Sequence, residues 1–258
     1  MGARLVGYPL GVVHERHRPL GERYRTDDLT PIQRGLLRGD VEAAGTPILL
    51  VHGMVDNRSV FTVLRRSLRR RGFGRVVTMN YPVLTSDVPA AAWLLGQQVE
   101  RLCEETGYDR VHVVGHSLGG LLARWYVQKL GGDARVHTLV TLGTPHSGTG
   151  AAKLVPLRVT RALRPGSAVI RALTEPAPGC RTRFVAFASD LDEMMVPRRC
   201  AELAHPDLRA RNVRLRGVGH LALPSHPKVA HEIAATLAHL DHEGEVVVAG
   251  VSPLVVAR

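Results

Sequence analysis

A serine, three carboxylates and a histidine stand where together they could make an activated nucleophile. Ser117 is the centre of Gly115-His116-Ser117-Leu118-Gly119; three acids, Asp190, Asp192 and Glu193, crowd one later segment; and His220 lies in Gly217-Val218-Gly219-His220-Leu221. A serine hydroxyl is a weak nucleophile at neutral pH. An imidazole within reach takes its proton, and a carboxylate behind the imidazole fixes its tautomer. The order serine, acid, histidine suits a sheet in which each group follows a different strand.

The elements around these residues fit that role. The apolar run Val111-His112-Val113-Val114 precedes Ser117 and a helix-forming run, Leu121 to Leu130, follows it. A strand turning sharply into a helix lifts one side chain clear of the sheet in a strained conformation, and only small neighbours two residues either side permit the turn. Gly115 and Gly119 supply them. The acids follow the apolar run Phe184 to Ala188, and His220 follows Val213 to Val218. Of the acids Asp192 is favoured, because it lies further into its loop than Asp190 and just ahead of Val196-Pro197; Asp190 and Glu193 stay open.

An oxyanion formed during attack needs two backbone donors. The amide of Leu118, the residue after the nucleophile, is one. The amide of Met54, at the end of Ile48-Leu49-Leu50-Val51-His52-Gly53-Met54, is the other. His116 and His52 are read as structural: His116 fills the free position of the elbow, and His52 braces the oxyanion loop.

The rest of the chain predicts an α/β fold with a mostly parallel sheet of about six strands flanked by helices. Strands are expected at Ile48–Val51, Val76–Tyr81, Val111–Val114, Val136–Leu142, Phe184–Ala188 and Val213–Val218, alternating with helices near 57–71, 88–106, 118–131 and 227–240. That alternation requires crossover connections. Residues 1–45 read as a basic, turn-rich arm, 46–240 as the catalytic domain and 241–258 as a tail with room for an edge strand through Val246 to Ala249. Within the domain, 146–180 has no good strand, carries prolines at 156, 165, 176 and 178, and brings Lys153, Arg158, Arg161, Arg164 and Arg171 before its first acid, Glu175. It reads equally as a cap or lid over the site and as a helical connection covering the sheet.

Composition narrows the classes. The 258 residues are 45% hydrophobic and 22% charged, ordinary for one globular domain. The net charge of +11 invites an anionic partner, but aromatics are only 4% and do not alternate with arginine, so no nucleic acid is expected. The cluster Arg65-Arg66-Ser67-Leu68-Arg69-Arg70-Arg71 reads as a solvated helix face, in a predicted helix whose apolar positions Phe61, Leu64 and Leu68 keep helical spacing. Cys103, Cys180 and Cys200 lack metal-ligand spacing, and their pairing is open. Met1 to Gly11 is too short and interrupted for a signal or membrane span, so a cytoplasmic location is expected.

Taken together, VHGM at 51–54, VVGHSLGG at 113–120, TLGTPHSGT at 141–149, SDLDEMMVP at 189–197 and GVGHLALP at 217–224 resemble the bacterial class 2 lipases and esterases of the α/β-hydrolase superfamily. The resemblance implies Ser117 as nucleophile, Asp192 as acid, His220 as base, Met54 and Leu118 as oxyanion donors, and no metal or organic cofactor. It selects Asp192 because the acid of that group typically stands five residues ahead of a proline, in this chain Pro197. The implied activity is hydrolysis of lipid-like or short acyl esters, with peripheral contact to an anionic membrane through the basic insertion. Acyl transfer or thioester cleavage by the same triad is the alternative, and a non-catalytic membrane- or nucleic-acid-binding scaffold is the reading from another class. The first 45 residues have no counterpart in the smallest members, and they do not read as the export or membrane segment common among similar proteins.

Overall fold

The computed structural model describes residues 45–238 apart from 55, 57, 83–86 and 156, together with Val255–Val256. Six strands, β1 (Ile48–Val51), β2 (Val76–Met79), β3 (Val111–His116), β4 (Val136–Leu142), β5 (Arg183–Ser189) and β6 (Arg209–Leu215), form a sheet in the order β2-β1-β3-β4-β5-β6, and a two-residue β7 (Val255–Val256) pairs beyond β6. Every pairing is parallel. The edge strand expected at Val246 to Ala249, like the arm at 1–44, falls outside the described residues.

Parallel strands need crossovers, and most of these are helical: α1 (Thr62–Arg70, entered by a 3-10 turn Arg58–Phe61), α2 (Val88–Thr106), α3 (Leu118–Lys129), the short α4 (Arg158–Ala162) and α5 (Ala168–Thr174), and α6 (Pro227–Leu237). The start of α2 is set by Asp87, whose carboxylate accepts from the amide of Ala90 at 2.9 Å, and its end by Gly107 in a left-handed conformation.

The sheet divides two apolar layers. Leu49, Val51, Val113, Leu139 and Phe184 meet α2, α3 and the insertion's Val159, Leu163, Ile170 and Leu173 on one face. Ile48, Leu50, Val114, Val140 and Phe187 meet Phe61, Leu64 and Leu68 of α1 and its entry turn, and Val229, Ile233 and Leu237 of α6, on the other. β1 and β3 are buried at every position, as central strands of a parallel sheet covered on both faces must be. Among the described residues no helix is long and apolar enough to cross a membrane. Cys103, Cys180 and Cys200 are free thiols.

Several boundaries differ from expectation: β5 is a residue longer at each end (Arg183–Ser189), β6 ends at Leu215 and not at Val218, and three further differences have a local reason. β3 runs two residues further, to His116, so the strand carries on to the elbow itself. β2 stops at Met79, leaving Tyr81 to turn its hydroxyl onto the His52 carbonyl at 2.8 Å. β6 begins at Arg209, because Arg209, Ala210, Arg211 and Asn212 all pair with β5 although their polarity hides them in the sequence.

Candidate active site

β3 delivers the chain to Ser117 and α3 carries it away, and between them Ser117 takes φ 53° and ψ −119°. It is the one non-glycine residue with positive φ among the described residues. Such a conformation costs on the order of 1–3 kcal/mol and persists only where its surroundings enforce it. Three bonds do so: the Ser117 amide donates to the Leu142 carbonyl at 2.9 Å, and the Ser117 carbonyl accepts from the Gly120 amide at 3.1 Å and from Thr144 Oγ1 at 3.0 Å. Side chains are excluded beside it. A Cβ on Gly119 would collide with the backbone carbonyls of Val51 and His52, and one on Gly115 with the backbone of Gly120.

Loops from β5 and β6 bring the other two groups together. Nδ1 of His220 lies 2.9 Å from Oδ2 of Asp192, with both side chains shielded from solvent. The second Asp192 oxygen accepts from the Met194 amide at 3.1 Å, fixing the carboxylate's plane. With the Nδ1 proton directed at a carboxylate, the neutral imidazole keeps its Nε2 lone pair free to act as a base. The competing acids serve the backbone instead: Asp190 accepts from the Gly217 amide at 2.8 Å and Glu193 from the His220 amide at 3.4 Å. Among the described residues, Ser117 Oγ makes no hydrogen bond to Nε2 of His220.

The loop after β1 lies against the elbow, where a Cβ on Gly53 would come within 3.0 Å of the Ser117 Cβ. Met54 sits on that turn, half-buried against the core. Leu118 opens α3, so its amide is one of the first-turn donors with no carbonyl a turn below it. His52 braces this loop: its ring stacks on Tyr81 with centroids 4.6 Å apart, and Nδ1 meets the Gly53 carbonyl at 2.8 Å. Burial lowers the His52 pKa and raises that of Tyr81.

Two residues of the site carried no chemical reading in the sequence. Asp56, its side chain largely buried on the β1 loop, places Oδ2 3.1 Å from Nδ1 of His116. On the other side of that ring, Nε2 of His116 lies 3.1 Å from the His220 carbonyl, and the two imidazoles are 4.8 Å apart between centroids. No motif joins Asp56 to His116, because the contact spans 60 residues of chain.

The insertion is moored beside the acid loop. Thr149 Oγ1 donates to the Met194 carbonyl at 2.7 Å and accepts from the Val196 amide at 3.0 Å. From below, the buried guanidinium of Arg124 on α3 donates to the carbonyls of His146 at 3.1 Å and Leu173 at 2.7 Å, and to Gln128 Oε1 at 2.7 Å. Burial pulls its pKa down to about 10. His146 is held neutral, its pKa lowered by burial and then by Arg124, with Nε2 2.9 Å from Thr141 Oγ1.

Residues 46–166 match the family model described as alpha/beta hydrolase fold. Among solved structures the chain is similar to the mature form of Bacillus licheniformis lipase BlEst2, at 14% identity over 78% of this chain and 94% of that one, with a TM-score of 0.62. It is similar to Aspergillus fumigatus lipase B at 16% identity over 77% of this chain and 54% of that one, TM-score 0.66. It also resembles EstE1, a thermophilic carboxylesterase from a metagenomic library, at 18% identity over 76% of this chain and 81% of that one, TM-score 0.57. The chain has the α/β-hydrolase fold, and these neighbours in fold are lipases and esterases. At such identities the likeness is one of fold.

Proposed function

We propose that the protein is a serine carboxylic ester hydrolase acting on lipid-like or short acyl esters. The observation that carries this reading is the shielded Asp192–His220 pair at 2.9 Å, on the same edge of the sheet as a strained Ser117 that follows β3. In the proposed reaction Ser117 Oγ attacks the ester carbonyl carbon while Nε2 of His220 takes the hydroxyl proton. The Leu118 and Met54 amides receive the oxyanion. Collapse of the tetrahedral adduct expels the alcohol, which leaves with the proton held on His220, and an acyl-serine remains. Water then attacks, His220 again accepting a proton and returning it to Ser117 as the carboxylic acid departs. The Ser117–His220 contact closes when substrate enters, as such contacts commonly tighten only in the reacting complex.

Lipid-like substrates are supported by the surface of the insertion, where Leu154 (83% exposed), Val155 and Leu157 stand in solvent with Lys153, Arg161 and Arg171 on the same segment, and exposed Val196 adjoins from the acid loop. Apolar side chains among cations suit an anionic lipid surface. Binding to phosphatidylglycerol vesicles is expected to weaken as salt rises, and salt-independent binding would remove that part of the reading.

Hydrolysis of p-nitrophenyl esters from acetyl to palmitoyl, by wild type and Ser117→Ala side by side, tests the activity. Turnover that disappears in the variant supports the reading, and the preferred chain length separates esterase from lipase. No turnover by the wild type across the series would sink it.

A further inference from the structure

The His116 ring poses a problem of proton count. Both of its nitrogens face acceptors, Nδ1 the carboxylate of Asp56 and Nε2 the carbonyl of His220, each at 3.1 Å, and the ring has no exposure to solvent. A neutral imidazole has one N–H and one lone pair, so it satisfies only one of these contacts. A carbonyl oxygen can never donate. Both contacts are therefore hydrogen bonds only when the Asp56–His116 pair holds one further proton, either as imidazolium with carboxylate or as neutral imidazole with a carboxylic acid. In each form the pair is neutral overall and Nε2–H points at the His220 carbonyl.

We propose that Asp56 and His116 are positioning residues for the candidate base: the proton they share lets His116 donate to the His220 backbone, clamping the loop that carries the imidazole to the elbow that carries Ser117. The proposal rests on the ester-hydrolase reading for its catalytic meaning. Its geometry is direct, since His116 is covalently next to Ser117 and its bond reaches 104 residues along the chain to His220.

The clamp has a built-in pH limit. When the pair loses its shared proton, one N–H remains for two acceptors, and it turns to the charged one because charge-assisted bonds are the stronger. Nε2 then presents a lone pair to the His220 carbonyl and the clamp opens. Burial, and then the neighbouring His220, act to lower the His116 pKa, while Asp56 and the carbonyl bond oppose them; the net shift is downward, which disfavours the imidazolium and favours the uncharged form, with the shared proton on the Asp56 carboxyl and Nε2–H still aimed at the His220 carbonyl. Among the described residues the other titratable groups around the ring are His220 itself, with Asp192 behind it and Glu193 on its amide, and His52 and Tyr81 behind the β1 loop; burial keeps those last two neutral.

Two variants separate the roles. His116→Phe keeps a ring but has no donor, so kcat is expected to fall on the order of tenfold to a hundredfold at all pH values, as for a displaced catalytic group. In Asp56→Asn the amide can donate to Nδ1 with a proton that does not ionise, so Nε2–H stays aimed at His220. That variant is expected to retain more activity than His116→Phe and to lose the alkaline fall in kcat that loss of the shared proton should give the wild type. Wild-type kinetics and pH profile in both folded variants would overturn the proposal.

Two further readouts keep its failure distinct from failure of the ester-hydrolase reading. Covalent labelling of Ser117 by a fluorophosphonate probe reports the nucleophile, so a wild type that neither labels nor turns over esters refutes the activity and not the clamp. Histidine 15N spectra of the free protein report the clamp: a protonated His116 Nε2 at neutral pH, lost on the alkaline side in the wild type and retained in Asp56→Asn, supports it. An unprotonated Nε2 at neutral pH refutes it, whatever the enzyme assays give.

Discussion

A methyl group on Gly143 would lie 2.6 Å from Oδ2 of Asp192 and 3.0 Å from Nδ1 of His220. Gly143 follows β4, the strand between the one that ends at Ser117 and the one that leads to the acid, and its lack of a side chain is what leaves room for the acid to meet its histidine. Its φ of 52° disfavours any side chain independently of space. Gly143→Ala is therefore expected to cost about 1–3 kcal/mol of stability, measured by urea unfolding. Its kcat should fall further than that loss explains, on the order of a hundredfold, because the pair itself is displaced. A variant that is less stable but fully active would show that the site does not need this space.

The three neighbouring acids separate cleanly under mutation. Asp192→Asn keeps the shape but can present its amide to Nδ1 and select the wrong tautomer, so kcat should drop by roughly three to four orders of magnitude. Asp190→Asn and Glu193→Gln disturb single bonds to loop amides and should stay within about tenfold of wild type. Equal losses for all three would remove Asp192 from its proposed role.

His112 gives acid sensitivity that has nothing to do with catalysis. It sits on β3 with no exposure to solvent, neither ring nitrogen has a hydrogen-bond partner among the described residues, and burial pulls its pKa down to about 3. The folded protein binds no proton at this ring between about pH 6.5 and 3, whereas the unfolded chain does. Stability is therefore unaffected by this group above the unfolded pKa and falls as pH drops below it. At two units below, the cost is about 2–3 kcal/mol at roughly 1.36 kcal/mol per unit. His112→Leu should flatten that limb in denaturant titrations run at several pH values; an unchanged slope would contradict the assignment.

Arg124 should govern how firmly the insertion is held. Its guanidinium bonds two backbone carbonyls and an amide oxygen, with no carboxylate partner among the described residues, so Arg124→Met strands buried acceptors at about 1–3 kcal/mol each. Amide exchange in α5 and proteolytic cleavage within 146–180 are expected to speed up, with the sheet unaffected. Exchange in α5 that matches the wild type would mean the apolar contacts of Ile170 and Leu173 alone hold the segment.

Local signals made much of this legible. α2 runs from Val88 to Thr106 as its periodicity, its Asp87 cap and the glycine at 107 require, and the glycines around Ser117 marked the elbow. β6 shows where such signals stop: charged residues at its start still pair along β5, since pairing needs only backbone, and polarity disguised them as loop. The acids illustrate a second limit. Spacing alone left Asp190, Asp192 and Glu193 in contention, and only the turn of the loop decides which carboxylate faces the ring and which two face amides. Asp56 was invisible for a third reason, since its meaning lies in a partner on a different strand end.

That long reach has a kinetic side. The His116 ring joins a residue 60 positions earlier to one 104 positions later, so its contacts close two of the chain's larger loops. Ordering such loops is an entropic cost met before the contacts repay it, and non-local pairings of this kind slow folding. During refolding, helical signal from α2 and α3 should return ahead of hydrolytic activity, which reports on the last and least local contacts to assemble. For this chain, recovery of activity measures completion of the whole fold in a way that recovery of secondary structure does not.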